Sequence, residues 1–139
     1  MENLQETNLL LSSNIRIKKP NNYYYICPMN KWKEIIESTW ENREQLQERE
    51  TIDCINTIIE ELDKGRLRIA EPTRNGWQIN DWLKKAIILY FPICKMKTIE
   101  VGALEFHDKM KLKGDYEKLG VRVVPHAIAR YGSYLAPGV

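Results

Sequence analysis

The strongest constraint on the fold lies in the last twenty residues, GVRVVPHAIARYGSYLAPGV, which run from Gly120 to Val139. Small or apolar residues recur there at a spacing of six, at Val123, Ala129 and Leu135. A period of six fits neither an α-helix nor a single strand. It is the period of a left-handed parallel β-helix, whose solenoid stacks about three or more units. The pattern therefore predicts the beginning of such a β-helix over residues 123–139, and we expect it to be truncated.

Two amphipathic helices are predicted before this region. The first spans Asn30 to about Gln47, and the second spans Thr51 to Lys64, with Thr51 as its cap and Gly65 at the left-handed position beyond its end. Apolar and small residues at i, i+3 and i+4 form one stripe on each helix. The stripes are Trp32, Ile35, Ile36, Thr39 and Trp40 on the first helix and Ile52, Ile55, Ile58, Ile59 and Leu62 on the second. The short connection predicts antiparallel neighbours.

A hairpin and a third helix follow. Gly65 to Glu71 alternates as a half-buried strand that Pro72 closes, and Asn75-Gly76 is a turn dipeptide before a return strand. Asn80 or Asp81 is expected to cap a helix that ends near Pro92, with Lys84 and Lys85 on its outer side. Its predicted inward residues are Trp82, Leu83, Ala86, Ile87 and Tyr90.

The remaining stretch reads as short strands. Lys95 to Leu104 is predicted to be irregular, and Glu105 to Lys113 alternates as a strand with one basic face, formed by His107, Lys109, Lys111 and Lys113. Gly114 to Gly120 suggests a turn or short helix, and Val121 to Val124 a last strand. The fold class is therefore α+β: two antiparallel helices, a hairpin, a third helix and short strands that lead into the β-helix.

Length, charge and cysteine content limit the function classes. The 139 residues suffice for one modest core, and a net charge of +2 argues against a dedicated nucleic-acid binder. Cys27, Cys54 and Cys94 form no C-x-x-C motif and do not lie at metal-ligand spacing from either histidine, so we expect free thiols and no metal. No apolar run approaches the roughly 18 residues of a membrane span. These features predict a cytoplasmic protein without a membrane or nucleic-acid partner.

Residues 1–28 differ from the rest in being rich in Asn, Ser and Tyr. We expect a poorly structured N-terminal arm, within which Tyr23 to Ile26 could pair as a short strand. One hypothesis is that Met29 is the natural start of the protein. The other is a native arm that is only loosely attached to the domain.

Four ordered segments carry a resemblance to a known family. They are GRLRIAE (65–71), NGWQINDWLKKAIILYF (75–91), FHDKMKLK (106–113) and the last twenty residues. Together they resemble the 2,3,4,5-tetrahydropyridine-2,6-dicarboxylate N-succinyltransferases, hexapeptide-repeat acyltransferases of lysine biosynthesis. The resemblance covers about residues 29–139. It implies an α+β N-terminal domain over 29–122 and the beginning of the β-helix over 123–139.

The resemblance also implies a reaction. The intact enzymes transfer succinyl from succinyl-coenzyme A, a cosubstrate, to a cyclic dicarboxylate at sites between the subunits of a homotrimer, without a permanently bound cofactor. The arginine of the matching G-x-R-V-V-P segment binds that substrate, which points to Arg122. Physically, a guanidinium within a β-branched run is costly to bury unless it meets an anion. Arg122 as an outward side chain or a structural ion-pair partner remains open.

No catalytic residue is expected in this chain, because the family's catalytic acids and its coenzyme A surface lie in repeats beyond Val139. We therefore expect the isolated 139-residue chain to be inactive. The residues that bind coenzyme A are unknown, and Lys84, Lys85 and His126 receive no role. The basic face could attract phosphates or only aid solubility. The alternative function is a non-enzymatic interaction module derived from the same domain.

Overall fold

Three helices form the body of the protein. The computed structural model describes residues 14–18 and 24–139, with side chains from residue 29 onward. Helix α1 spans Met29–Glu41, α2 spans Arg49–Asp63 and α3 spans Asp81–Ile93. Between α1 and α2 lies a 3₁₀-helix, Arg43–Gln47. The helices pack on one another through the predicted stripes, since a surface helix gains most of its stability from burying its apolar face.

The core lies among these three helices. Its largest fully buried side chains are Ile36, Thr39, Ile55, Ile58, Ile59, Leu83 and Leu89. Thr39 is tolerated there because its hydroxyl donates to the Ile35 carbonyl at 2.7 Å, so no buried polar atom is left unpaired. On α3, the predicted Trp82, Leu83, Ala86 and Tyr90 are buried, Ile87 is half-buried, and Leu89 is an additional core residue.

The beginnings of two elements differ from the predictions. The first predicted helix is broken at Asn42, whose side chain accepts from the Glu44 amide at 3.1 Å and thereby begins a separate 3₁₀-helix. Asparagine favours such local side-chain bonds over a continuous helix. Helix α2 begins two residues before Thr51, and Glu48 is its cap residue. Thr51 is 3% exposed and lies within the first turn, so its predicted capping role was wrong.

The end of α2 is as predicted. Gly65 has φ +68°, and its amide donates to the Leu62 carbonyl at 3.0 Å. The Arg66 amide donates to the Glu61 carbonyl at 2.9 Å. These two bonds complete the Schellman arrangement, in which a residue in the left-handed conformation satisfies the last carbonyls of a helix.

The first hairpin after α1 comprises β3, Ala70–Thr73, and β4, Gly76–Ile79, in antiparallel register. It is shorter and more exposed than predicted, because residues 65–69 form turns and every residue of both strands is exposed. Pro72 lies within β3 opposite Trp77, which a two-stranded edge permits. Residues 65–69 are not in a strand, so the predicted strand from Gly65 is wrong, although its alternation is observed: Leu67 is buried and Ile69 half-buried. Trp77 on the return strand is 72% exposed.

A second hairpin occupies the stretch predicted to be irregular. Strand β5, Lys97–Val101, pairs with β6, Leu104–Asp108, across a turn in which Gly102 has φ +61°. The predicted strand from Glu105 therefore ends at Asp108. Met110 beyond it is buried, and Leu112 forms an isolated antiparallel bridge with Arg130.

The last residues are mostly non-helical. A short helix α4, Tyr116–Leu119, lies where a turn or short helix was predicted. Residues 121–124 are not in a strand, so the predicted last strand is absent from the described structure. Near the other end, β1, Asn14–Lys18, pairs with β2, Tyr24–Pro28, which includes part of the predicted Tyr23–Ile26 strand. The rest of the predicted N-terminal arm lies outside the described residues.

The described residues thus form an α+β fold with three separate two-stranded antiparallel sheets, which confirms the predicted α+β class, whereas the lead into a β-helix stays a prediction. In that part of the chain, no helix is long and apolar enough to cross a membrane.

Candidate functional site

A hydrogen bond holds the backbone of Arg122, whereas its side chain has no partner among the described residues. Its amide donates to the Val139 carbonyl at 2.8 Å, and the Gly138 amide donates to the Gly120 carbonyl at 2.8 Å. The side chain is exposed, and no described residue forms a hydrogen bond or ion pair with it. Of the two structural alternatives, an ion pair is not observed within the described part of the chain, whereas an outward, exposed side chain is. The guanidinium remains available to an anion.

Residues 120–138, which include Arg122, form a loop whose two ends are hydrogen-bonded to each other. Gly120 and Gly138, which are hydrogen-bonded, lie eighteen residues apart, the length of three hexads. Val123, Ala129 and Leu135 are each partly buried, whereas their immediate neighbours in sequence are exposed. The predicted spacing thus corresponds to an observed alternation of burial.

A tight turn follows Arg122. The Ala127 amide donates to the Val124 carbonyl at 3.1 Å, and His126 has φ +78°. Proline followed by a residue with positive φ is the arrangement of a type II turn, which normally prefers glycine at the second position. His126 is exposed and has no contact that points to a proton-transfer role. It still receives no function.

The C-terminal segment is attached to the end of α2 by a group of contacts that we name the Asp63 cluster: Asp63, Lys113 and Gly132. The Asp63 carboxylate accepts from the Lys113 ammonium at 2.6 Å and from the Gly132 amide at 2.9 Å. The Asp63 side chain is only 16% exposed, and the Lys113 side chain only 6%. Lys113 was predicted to lie on an exposed basic face. That part of the prediction was wrong, because the ammonium is buried against a carboxylate fifty residues away.

A second set of contacts lies one turn earlier on α2. Glu60 accepts from Lys64 at 2.6 Å and also from the Tyr131 hydroxyl. The bond from Lys64, with that from Tyr131 adding to it, lowers the pKa of Glu60. Burial, reinforced by the bond to Glu60, raises the pKa of Tyr131 well above that of a free phenol. Tyr131 therefore remains a neutral donor at physiological pH.

A surface cavity of about 430 Å³ lies beside these contacts. Its lining residues are Asp63, Lys64, Lys113, Gly114, Asp115, Leu119, Tyr134 and Leu135. All four of its charged lining residues are already paired, since Lys113 meets Asp63, Lys64 meets Glu60, and Asp115 meets Lys118 at 3.1 Å. Arg122 does not line this cavity.

The other predicted cations are distributed over separate surfaces. Lys84 pairs with Asp81 at 3.3 Å on the exposed face of α3. Lys85 is not on the outer side as predicted: it is 28% exposed, pairs with Glu37 of α1 and lies 5.7 Å from the centre of the Trp40 ring. His107 hydrogen-bonds to Thr98 across the second hairpin. Because β6 ends at Asp108, Lys109 and Lys111 lie beyond the strand, so the predicted basic strand face is not formed.

Sequence reasoning missed Asp63 and Tyr131. One signal for them was available, because Glu60, Glu61 and Asp63 place carboxylates in the last turn of α2, where the helix dipole disfavours negative charge. Such carboxylates need cationic or N–H partners from elsewhere. Within residues 29–139, no three His, Cys, Asp or Glu side chains lie close enough to hold a metal ion.

Comparison with known proteins supports the resemblance. Residues 31–93 match the family described as tetrahydrodipicolinate N-succinyltransferase N-terminal. A 2,3,4,5-tetrahydropyridine-2,6-dicarboxylate N-succinyltransferase from Legionella pneumophila (strain Paris) is 37% identical over 118 residues, which cover 78% of this chain and 43% of the relative. The enzyme of the same name from Coxiella burnetii (strain RSA 493 / Nine Mile phase I) is 42% identical over 117 residues, with the same two coverages.

A third relative gives the same result. The enzyme of that name from Paracidovorax citrulli (strain AAC00-1) is 42% identical over 117 residues, covering 75% of this chain and 42% of the relative. The chain therefore spans less than half the length of the curated relatives it matches. The resemblance drawn from the sequence is confirmed.

Proposed function

Because residues 31–93 match the N-terminal domain of the tetrahydrodipicolinate N-succinyltransferase family, we propose that this chain is the N-terminal part of such an acyltransferase. The reaction moves succinyl from succinyl-coenzyme A to tetrahydrodipicolinate in lysine and diaminopimelate biosynthesis. The chain's own contribution is to the pocket for the acceptor dicarboxylate, and no catalytic residue is assigned to it.

The observation that carries this proposal is the state of Arg122. Its backbone is held by the hydrogen bond to Val139, while its exposed guanidinium has no partner among the described residues. A planar guanidinium can donate two parallel hydrogen bonds to one carboxylate, which gives orientation as well as affinity. The acceptor in the relatives' names is a dicarboxylate. Arg122 would bind one of its carboxylates.

The continuation into a left-handed β-helix belongs to the same proposal. The bond between Gly138 and Gly120, eighteen residues apart, and the partial burial of Val123, Ala129 and Leu135 support a first coil of three hexads. The division into a domain over 29–122 and a repeat region from 123 onward rests on the same observations. A homotrimer and succinyl-coenzyme A as cosubstrate follow only from the family, and a cytoplasmic location follows from the sequence features given above; all three stay predictions.

The role of Arg122 can be tested by replacing the matching arginine with glutamine in the full-length Coxiella burnetii relative. A charge-assisted hydrogen bond contributes about 1.5–3 kcal/mol, so the KM for the acceptor should rise roughly 10- to 100-fold. The KM for succinyl-coenzyme A should stay unchanged. Replacement by lysine, which keeps the charge but not the fork, should give an intermediate value. An unchanged acceptor KM in the glutamine variant would exclude the proposed contact.

We also propose that a polypeptide of residues 1–139 alone has no transferase activity. Thr98 and His107, which are hydrogen-bonded, are both exposed on the second hairpin, and Tyr131 and Lys113 are already paired with Glu60 and Asp63. Release of free thiol from succinyl-coenzyme A in the presence of the acceptor measures this directly. Turnover above the uncatalysed rate would contradict the proposal.

The alternative of a non-enzymatic interaction module is favoured by one feature, the exposed first hairpin. Ala70 and Pro72 oppose Ile79 and Trp77 on one face of the pair, which no described residue covers, and Ile79 is 57% exposed. Sedimentation of the chain alone and after mixing with a full-length relative distinguishes the two cases. A mixed complex that forms without any effect on acceptor binding would favour the module.

A further inference from the structure

We infer that Asp63 is a positioning residue, through which the helical domain fixes the segment that carries Arg122. The inference rests on the proposed role of Arg122 and adds a residue outside that contact. Asp63 is the last residue of α2, where a carboxylate opposes the helix dipole. Its side chain is also 16% exposed. A group that is unfavourable for its own helix and largely desolvated must be stabilised by partners from another segment.

Both partners of the carboxylate come from the C-terminal segment, and they belong to two different arms of it. Lys113 lies on the arm that leads towards α4, and Gly132 lies on the arm that returns after Arg122. The arms also pair directly, because the Lys113 amide donates to the Ala129 carbonyl and the Tyr131 amide to the Lys111 carbonyl, each at 2.8 Å. One carboxylate therefore joins the ends of the loop that contains Arg122.

The cluster tolerates little displacement. A Cβ added to Gly132 would lie 3.2 Å from the Ile59 side chain, so the returning arm touches the core of α2 directly. A Cβ added to Gly65 would lie 2.7 Å from the Tyr134 ring. These two close approaches and the bond from Tyr131 to Glu60 fix the same arm on either side of Gly132.

From the cluster, the constraint extends to Arg122 through short stretches of chain. Eight residues separate Lys113 from Arg122, and α4 occupies four of them. On the other side of the loop, the Gly138 amide donates to the Gly120 carbonyl, and the Arg122 amide donates to the Val139 carbonyl. Because both ends of the loop are held at Asp63, loss of that carboxylate should loosen the Arg122 backbone, which the carboxylate does not touch.

The test is amide hydrogen exchange on the 139-residue chain, comparing Asp63→Asn with Asp53→Asn, the same change at a 56%-exposed position of the same helix. Removing one partner of a buried ion pair is strongly destabilising, so exchange of the Gly132, Arg122 and Gly138 amides should accelerate on the order of a hundredfold. The amides of Ile58 and Leu83 in the core helices should exchange as in the parent chain. Asp53→Asn should leave all five unchanged.

Two outcomes would overturn the inference: faster exchange at Gly132 without any change at Arg122 and Gly138, or equal acceleration throughout the helices. The first would make Asp63 a local contact, and the second a general stability residue. A double variant, Asp63→Asn with Lys113→Met, removes both charges and should recover part of the protection if the unpaired ammonium is responsible. This experiment does not depend on substrate, so its failure is distinct from failure of the acceptor-binding proposal, which the KM measurements decide.

Discussion

Replacing Gly65 by alanine should destabilise the protein in two separable ways. The residue has φ +68°, and an L-residue in the left-handed region costs about 1–2 kcal/mol. The new Cβ would also lie 2.7–2.9 Å from three atoms of the Tyr134 ring, closer than carbon atoms can pack. Insertion of a methyl group into a packed contact costs about 1–3 kcal/mol. The two costs together give about 2–5 kcal/mol, or roughly 6–15 °C in Tm for a chain of this size.

The chain contains a matched control for the backbone cost. Gly102 has φ +61°, and a Cβ added there meets nothing within 4 Å. Gly102→Ala should therefore show only the cost of the left-handed conformation. Any entropy that alanine removes from the unfolded chain applies equally to both variants and cancels in the comparison. The difference between the two variants measures the contact with Tyr134.

Urea unfolding followed by far-ultraviolet circular dichroism gives the free energies of unfolding, and Tyr134→Ala completes a double-mutant cycle with Gly65→Ala. Once the ring is removed, Gly65→Ala should cost no more than Gly102→Ala. Equal destabilisation of the 139-residue chain by Gly65→Ala and Gly102→Ala would show that the Tyr134 ring does not pack on the end of α2. The attachment of the C-terminal segment described above would then be wrong.

Two further predictions concern charge and exposure. The pKa of Glu60 is lowered by its bonds to Lys64 and Tyr131, so its stabilising effect is present above the ordinary value of 4.5 and is lost as the pH falls through the lower folded value. Glu60→Gln should therefore flatten the fall in Tm below about pH 5, whereas Glu117→Gln, at an exposed carboxylate, should not. Trp77→Ser should change the free energy of unfolding by less than about 0.5 kcal/mol, because the side chain is 72% exposed; a large loss would show that the hairpin face is covered.

Local patterns sufficed for the helical body. The 3.6-residue periodicity of Trp32 and Ile36, and of Ile55, Ile58 and Ile59, predicted the buried faces, because the stripe that a helix must cover is set by residues three and four positions apart. Gly65 predicted the end of α2 for a similarly local reason, the freedom of glycine to adopt positive φ.

The sequence by itself thus determined the buried helix faces, the hairpin around Asn75, the α+β class and the family resemblance. Only the tertiary structure decided which charges are used within the fold. Lys113 looked like one member of an exposed basic face, yet docking onto α2 buries it against Asp63, while Arg122 remains open. Pairing between side chains fifty residues apart depends on how two segments pack, and no spacing along the chain encodes that distance. The same packing turns Asp63, unfavourable for its own helix, into an attachment point for the C-terminal segment.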